Sequence, residues 1–122
     1  MCIRDRYERA YGLEKNLWPA INNIGLVKYE MGKVDDAMAK WRQAVSIDNT
    51  ATEPLLALAV ALYTQGDKEQ GLAMGESALR LNSNYADIDY LDQHLWGERL
   101  IEDTKIFLAT PRIQETLAHI KD

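Results

Sequence analysis

The sequence predicts an all-α fold, an α-solenoid of antiparallel helix pairs that ends in an atypical C-terminal helical cap. Residues 18–51 recur 34 positions later in residues 52–85, and apolar residues follow helical spacing within each copy. The matching pairs are Ile24 and Leu58, Tyr29 and Tyr63, Gly32 and Gly66, Ala44 and Ala78, and Ile47 and Leu81. A fixed period of this length is typical of stacked helix-turn-helix units.

Both units resemble the tetratricopeptide repeat (TPR) family. The first unit carries Ile21, Ile24, Gly25, Tyr29, Gly32, Ala37, Trp41, Ala44 and Ile47. The second carries Leu55, Leu58, Ala59, Leu62, Tyr63, Gly66, Asp67, Ala78, Leu81 and Asn84. It departs from the first at Gly71 and Gly75, and the first ends in Asp48-Asn49, where the family usually has Asp-Pro.

Four helices are expected in the repeats. The first begins at the proline Pro19 and runs to about Met31, where Gly32 ends it, and the second covers about 34–48. Thr52 is expected to cap the third helix, and Asp67 with Gln70 has the spacing of a capping box before a fourth helix at 68–81. Gly25 and Ala59 are expected where paired helices cross, and Gly71 and Gly75 predict close packing of the fourth helix.

Residues 86–122 are interpreted as C-terminal capping helices because the 34-residue pattern stops there. We expect Gly97 to interrupt the chain, a helix with an apolar face through Phe107 to follow, and a last helix to run from Pro111 to about Ile120. The terminal repeats of solenoids are atypical because they present a polar outer side to solvent. The segments 95–100 and 110–114 also resemble tails that follow TPRs in photosynthetic bacteria.

Residues 1–17 are interpreted as an adapter-like start followed by the remnant of a preceding repeat helix. Met1 to Arg6 resemble a translated adapter, and Tyr7, Ala10 and Leu13 lie 34 positions before their counterparts in the second helix. The chain is therefore expected to be the C-terminal fragment of a bacterial TPR protein with more repeats upstream. Cutting through a repeat is expected to expose Ile21, Ile24 and Trp41.

Composition excludes several classes of function. The chain has 122 residues, with 14 basic and 19 acidic side chains and a net charge of -5, which argues against nucleic acid as a partner. A single cysteine excludes an internal disulfide. The longest apolar run, residues 54–63, is about half of the roughly 20 residues that a membrane span needs. We therefore expect no membrane partner and a cytoplasmic location.

No catalytic or metal-binding motif stands out. His94 and His119 lie outside any nucleophile motif and form no zinc-binding pair. Asp87, Asp89 and Asp92 resemble the start of a calcium loop but lack its glycine and its distal glutamate. We expect no enzyme activity, no cofactor and no metal in these residues.

The TPR resemblance implies that the first helices of successive repeats line a concave groove for a peptide or a partner's helix. The groove positions that we predict are Asn22, Asn23, Leu26, Tyr29, Leu56, Val60 and Tyr63. The apolar members are expected to form an exposed strip, although Tyr29 and Tyr63 fit packing between repeats equally well. Leu26 and Ala57 replace two asparagines of the family's chaperone-tail clamp, which argues against that specific function.

Two functions follow from this interpretation. The first is a protein–protein interaction scaffold, and the alternative is a helical appendage of an enzyme whose catalytic domain lay upstream. Further repeats in the upstream reading frame would favour the scaffold, whereas a sheet-forming domain with a catalytic motif would favour the appendage.

One internal cavity is also predicted. Gly75 stands where the first unit has Trp41, so the second unit lacks a bulky side chain at that position. The C-terminal segment is expected to fill the recess with Trp96, or else with Tyr90. The alternative is that the fourth helix lies closer to its neighbour, with no aromatic ring between them.

Overall fold

The computed structural model describes residues 17–121, and every regular element within them is helical. The helices are α1 (Trp18–Glu30), α2 (Val34–Ile47), α3 (Thr52–Thr64), α4 (Lys68–Leu81), α5 (Ile88–Gln93), α6 (Glu98–Leu108) and α7 (Pro111–Lys121), with a 3₁₀ turn at Ser83–Ala86. Helices α1 and α2 form one antiparallel pair, α3 and α4 form the next, and α3 also packs against α2. This arrangement is the predicted α-solenoid. The predictions for residues 1–16 lie outside the described residues.

The two repeat turns are closed by the same glycine motif. Gly32 and Gly66 adopt positive φ angles of 82° and 105°, which L side chains avoid. In the first turn, the Gly32 N–H donates to the Tyr29 carbonyl, and the next N–H donates to the Lys28 carbonyl. This pair of bonds is a Schellman motif, and it confirms the predicted helix stop.

Small residues allow close contact where the paired helices cross. A Cβ at Gly25 would lie 2.5 Å from Nε1 of Trp41, so the indole packs directly on the α1 backbone. A Cβ at Gly71 would lie 2.7 Å from the Ala59 carbonyl oxygen and 2.8 Å from the Tyr63 nitrogen. The predicted close packing at these positions is confirmed.

Several details differ from the expectations. Trp41 is fully buried rather than exposed, because it packs on Gly25 within its own repeat, whereas Ile24 is 44% exposed. Thr52 is the first residue of α3 rather than its cap, and the Asp67 side chain makes no capping hydrogen bond. The Asp67 backbone instead closes the turn by donating its N–H to the Leu62 carbonyl, 2.9 Å away.

The C-terminal helices fold back onto the repeats. Helix α6 packs against both α1 and α3, and α7 packs against α4. Since α1 and α3 are the first helices of the two repeats, α6 lies on the face where the partner groove was predicted. Within the described residues, no helix is both long enough and apolar enough to cross a bilayer.

Candidate partner-binding groove

The groove formed by α1 and α3 holds the N-terminus of α6 through a carboxylate. Glu30, the last residue of α1, accepts hydrogen bonds from the backbone N–H groups of Arg99, at 2.8 Å, and Leu100, at 3.1 Å. These amides lie in the first turn of α6, where a helix has no internal acceptor for them. The negative charge also faces the positive end of the helix dipole. Glu30 therefore caps a helix that begins 68 residues later.

The approach of Glu30 depends on a glycine. Gly97 precedes α6 as its N-cap residue and provides no side-chain cap of its own. A Cβ at Gly97 would overlap the Glu30 carboxylate. The predicted break at Gly97 is confirmed, and its additional role is to leave room for the carboxylate.

The middle of α6 places one polar and several apolar side chains against the groove. Tyr29 donates a short hydrogen bond from its hydroxyl group to the Asp103 carboxylate. Burial, and then this bond to an anion, raise the pKa of Tyr29, which stays a neutral donor. Leu100 and Thr104 are fully buried, and the Thr104 hydroxyl donates to the Leu100 carbonyl at 2.7 Å.

The end of α6 fills the recess in the second repeat with Phe107. A Cβ at Gly75 would overlap the tip of the Phe107 ring, and the ring is fully buried. Its edge-to-face contact with Tyr63 has a centroid distance of 5.5 Å and an interplanar angle of 83°. The C-terminal segment does fill the recess, but the predictions of Trp96 and Tyr90 were wrong. Phe107 is the penultimate residue of α6, so it is the C-terminal end of this helix that reaches Gly75 on α4.

Trp96 instead belongs to a buried polar cluster at the start of α3. Its Nε1–H donates to Oε1 of Glu53 at 2.8 Å, and Nδ2 of Asn22 donates to Oε2 of the same carboxylate at 2.7 Å. Trp41 donates from Nε1 to the Asn22 carbonyl at 3.3 Å. Burial raises the pKa of Glu53, although the bonds from Trp96 and Asn22 oppose this shift. The cluster joins α1, α3 and the segment before α6.

Helix α7 is held to α4 by a second polar cluster. Arg112 contacts Glu76 at 2.5 Å and Glu69 at 3.0 Å, and the Thr116 hydroxyl donates to Glu76 at 2.9 Å. Burial alone would raise the pKa of Glu76, but the bonds from Thr116 and Arg112 outweigh burial and lower it. These contacts fix α7 beside the outer helix of the second repeat.

The residues predicted to form the groove do lie along α1 and α3, but most of them are covered. The buried ones are Asn22, Leu26, Tyr29, Leu56 and Val60, Tyr63 is half-buried, and Asn23 is exposed. The expected exposed apolar strip is therefore wrong, because α6 packs on this side of both helices. Their role in binding a partner stays a prediction. Oδ1 of Asn22 is buried without a hydrogen-bond partner.

The main interactions of the groove were not assigned from the sequence. Glu30, Glu53 and Asp103 were given no role from the sequence. Phe107 was placed on an apolar helix face but not in the recess. One signal was available, since Phe107 is the only phenylalanine of the chain and the second repeat lacks a bulky residue at Gly75.

A separate apolar surface lies on the side of α1 opposite to the groove that holds α6. Leu17, Ile24, Val27 and Met31 follow helical spacing, and their exposed fractions are 51%, 44%, 60% and 58%. The equivalent residues 34 positions later include Ala51, just before α3, and Leu58 and Ala61 within it, and these are at most 6% exposed. Helix α3 packs against α2, whereas within the described residues no helix precedes α1.

These features define a class of protein: a solenoid of antiparallel helix pairs whose first helices are covered by a C-terminal helix. Residues 25–66 match the family model described as a TPR repeat, which supports the TPR assignment of this part of the chain. Neither the search of curated proteins nor the search of solved structures finds a match. TPR proteins are typically non-catalytic scaffolds, and their repeats generally mediate protein–protein interactions.

Proposed function

We propose that this protein is an interaction scaffold that binds a polypeptide segment of a partner protein in the groove between α1 and α3. The observation that carries the proposal is that this groove accommodates a helix, since α6 lies against both α1 and α3. The groove offers such a segment a carboxylate cap at Glu30 and a hydroxyl group at Tyr29, and α4 adds an apolar recess at Gly75 where the segment ends.

The polar positions give the groove direction as well as affinity. The Glu30 carboxylate can only accept hydrogen bonds, so it selects the N-terminal end of a helix, where backbone N–H groups are free to donate. The Tyr29 hydroxyl donates to a carboxylate one turn further along the bound helix. The recess at Gly75 takes a planar ring at the other end. Apolar contacts supply area, and these polar contacts fix the orientation of the bound segment.

Photo-crosslinking from a single exposed residue tests this proposal. Asn23 is exposed and lies two helical turns before Glu30 on the same face of α1, so a photoreactive amino acid there borders the groove. The matched control is Arg42, which is exposed on α2. We expect the chain labelled at Asn23 to crosslink a specific partner polypeptide, and the chain labelled at Arg42 not to do so.

Two outcomes would contradict the proposal. Equal crosslinking from both positions would mean that the partner does not enter the groove. Crosslinking from Arg42 alone would place the partner on the outer helices. Aspartate at Leu26 or Val60 is a poor test, because both side chains are buried and the substitution would damage the core.

A further inference from the structure

We infer that the partner segment is an amphipathic helix with the contact pattern of α6, and that it enters the groove by replacing α6. This inference rests on the proposed function, because it requires the groove to be the binding site. It adds the chemistry of the ligand and the route by which the groove opens.

The contacts of α6 define which helix fits. Its first-turn amides meet Glu30, so the ligand must begin a helix at that point. Leu100, Asp103, Thr104 and Phe107 then face the groove at spacings of three, four and seven residues, which is one face of a helix. A matching partner has an aliphatic residue, an acidic residue three positions later and an aromatic residue four positions after that.

The opposite face of α6 does not pack against the repeats. Ile106 is 63% exposed, and Glu102 and Lys105 form only an exposed ion pair with each other. Each helix pair also has extensive contacts of its own, α1 with α2 and α3 with α4, in which α6 takes no part. Departure of α6 therefore uncovers the groove without taking apart either helix pair.

The segment that leads into α6 holds a strained residue. Leu95 has a φ of 67°, and it is the only residue other than glycine with positive φ among those described. Its N–H donates to the Asp92 carbonyl and the Trp96 N–H donates to the Leu91 carbonyl, the same motif that Gly32 and Gly66 form in the repeat turns. A leucine at this position is disfavoured and persists only while surrounding contacts hold it.

The contacts that hold Leu95 in this conformation are those made while α6 occupies the groove. The Leu95 side chain is 77% exposed and contributes little packing, whereas Trp96 beside it is bonded to Glu53. When α6 leaves and Trp96 is released, Leu95 can relax to an ordinary conformation. The strain thus favours opening, and the contacts of α6 favour closing.

A tethered helix in the groove lowers the apparent affinity for an external one. The measured Kd is the intrinsic Kd divided by the fraction of molecules with an open groove. Weakening α6 alone, without altering the groove, must therefore strengthen binding of an external helix. A permanent structural cap would show no such relation.

The test uses the full chain and a fluorescent peptide of residues 97–110 with blocked termini. In the chain, Phe107→Ala removes the ring that fills the recess, while the peptide keeps its phenylalanine. We expect this variant to bind the peptide at least about tenfold more tightly than the wild-type chain in fluorescence anisotropy. Ile106→Ala, at the exposed neighbour, should bind like the wild type, and a peptide without the phenylalanine should bind poorly.

A second pair of variants acts through Leu95 and leaves the contacts of α6 intact. Leu95→Asn should weaken peptide binding because asparagine tolerates positive φ, whereas Leu95→Ile should strengthen it because the β-branched isoleucine does not. If the Phe107→Ala chain has lost its far-ultraviolet helix signal, this pair decides the matter. Peptide affinity that stays unchanged in every folded variant would overturn the inference. A partner crosslinked at Asn23 would still support the proposed function in that case.

Discussion

The contact between Gly75 and Phe107 gives the most quantitative prediction, because it joins α4 to α6 across 32 residues. A Cβ at Gly75 would lie 2.7 Å from Cε1 of Phe107 and closer still to Cζ. Both atoms belong to the tip of the ring, which leucine lacks. Gly75→Ala and Phe107→Leu therefore form a double-mutant cycle in which one substitution creates the clash and the other removes it.

The magnitudes follow from two opposing effects. Replacing a helical glycine with alanine stabilises by about 1 kcal/mol, whereas overpacking a filled core site costs about 1–3 kcal/mol. Gly75→Ala alone should then range from nearly neutral to about 2 kcal/mol destabilising. In the Phe107→Leu background the clash is absent, and the same change should stabilise by about 1 kcal/mol. The coupling free energy is the difference, about 1–3 kcal/mol.

Urea unfolding followed by circular dichroism at 222 nm measures all four chains. Thermal melts should agree, since about 1 kcal/mol corresponds to roughly 4 °C for a domain of this size. If Gly75→Ala has the same effect in both backgrounds, within about 0.5 kcal/mol, the two residues are not in contact and the placement of α6 is refuted.

Three further predictions concern other regions. Burial raises the pKa of Glu53, so its contribution to stability is full below the unfolded pKa of about 4.3 and is lost as the pH rises through the folded value. Glu53→Gln should therefore gain stability relative to the wild type as the pH rises above the unfolded pKa in urea titrations, and a constant difference would contradict this. The exposed face of α1 should promote self-association, so Val27→Glu should lower the sedimentation coefficient at high protein concentration, whereas Ile106→Glu on α6 should not. Deleting residues 98–122 should abolish cooperative thermal unfolding, because the deletion removes α7 and its contacts with α4 as well as α6, and two repeats alone fall below the usual minimum of about three units. An equally sharp transition at the same temperature would show that α6 and α7 together are not needed for cooperative folding.

The repeat region was predictable because its determinants are local. Glycine at Gly32 and Gly66 ends a helix through its own backbone freedom, and the spacing of small and large residues indicates which faces pack. Even the recess at Gly75 followed from comparing one unit with the other. Each of these inferences compares residues within one 34-residue repeat or at equivalent positions of the two repeats.

The contents of the groove were not predictable in the same way. Glu30 and Arg99 are separated by 69 residues, and the 34-residue pattern that positions α1 to α4 ends before α6 begins. Nothing periodic indicates where α6 docks, so Trp96 and Tyr90 were predicted for the recess and Phe107 was not considered. The exposed strip was expected because the groove was considered without the helix that covers it.

The first-turn amides of α6 test the central claim, that α6 occupies the groove, most directly. The N–H groups of Arg99 and Leu100 have no acceptor within their own helix, so in a free helix they exchange quickly with solvent. In the structure both donate to Glu30. Amide hydrogen exchange followed by NMR can resolve these two residues.

We predict slow exchange at both amides in the wild-type chain. Glu30→Ala should make both fast while α3 stays protected, and Glu102→Ala, on the exposed side of α6, should leave them slow. Fast exchange of Arg99 and Leu100 in the wild-type chain, with α3 fully protected, would show that α6 does not occupy the groove.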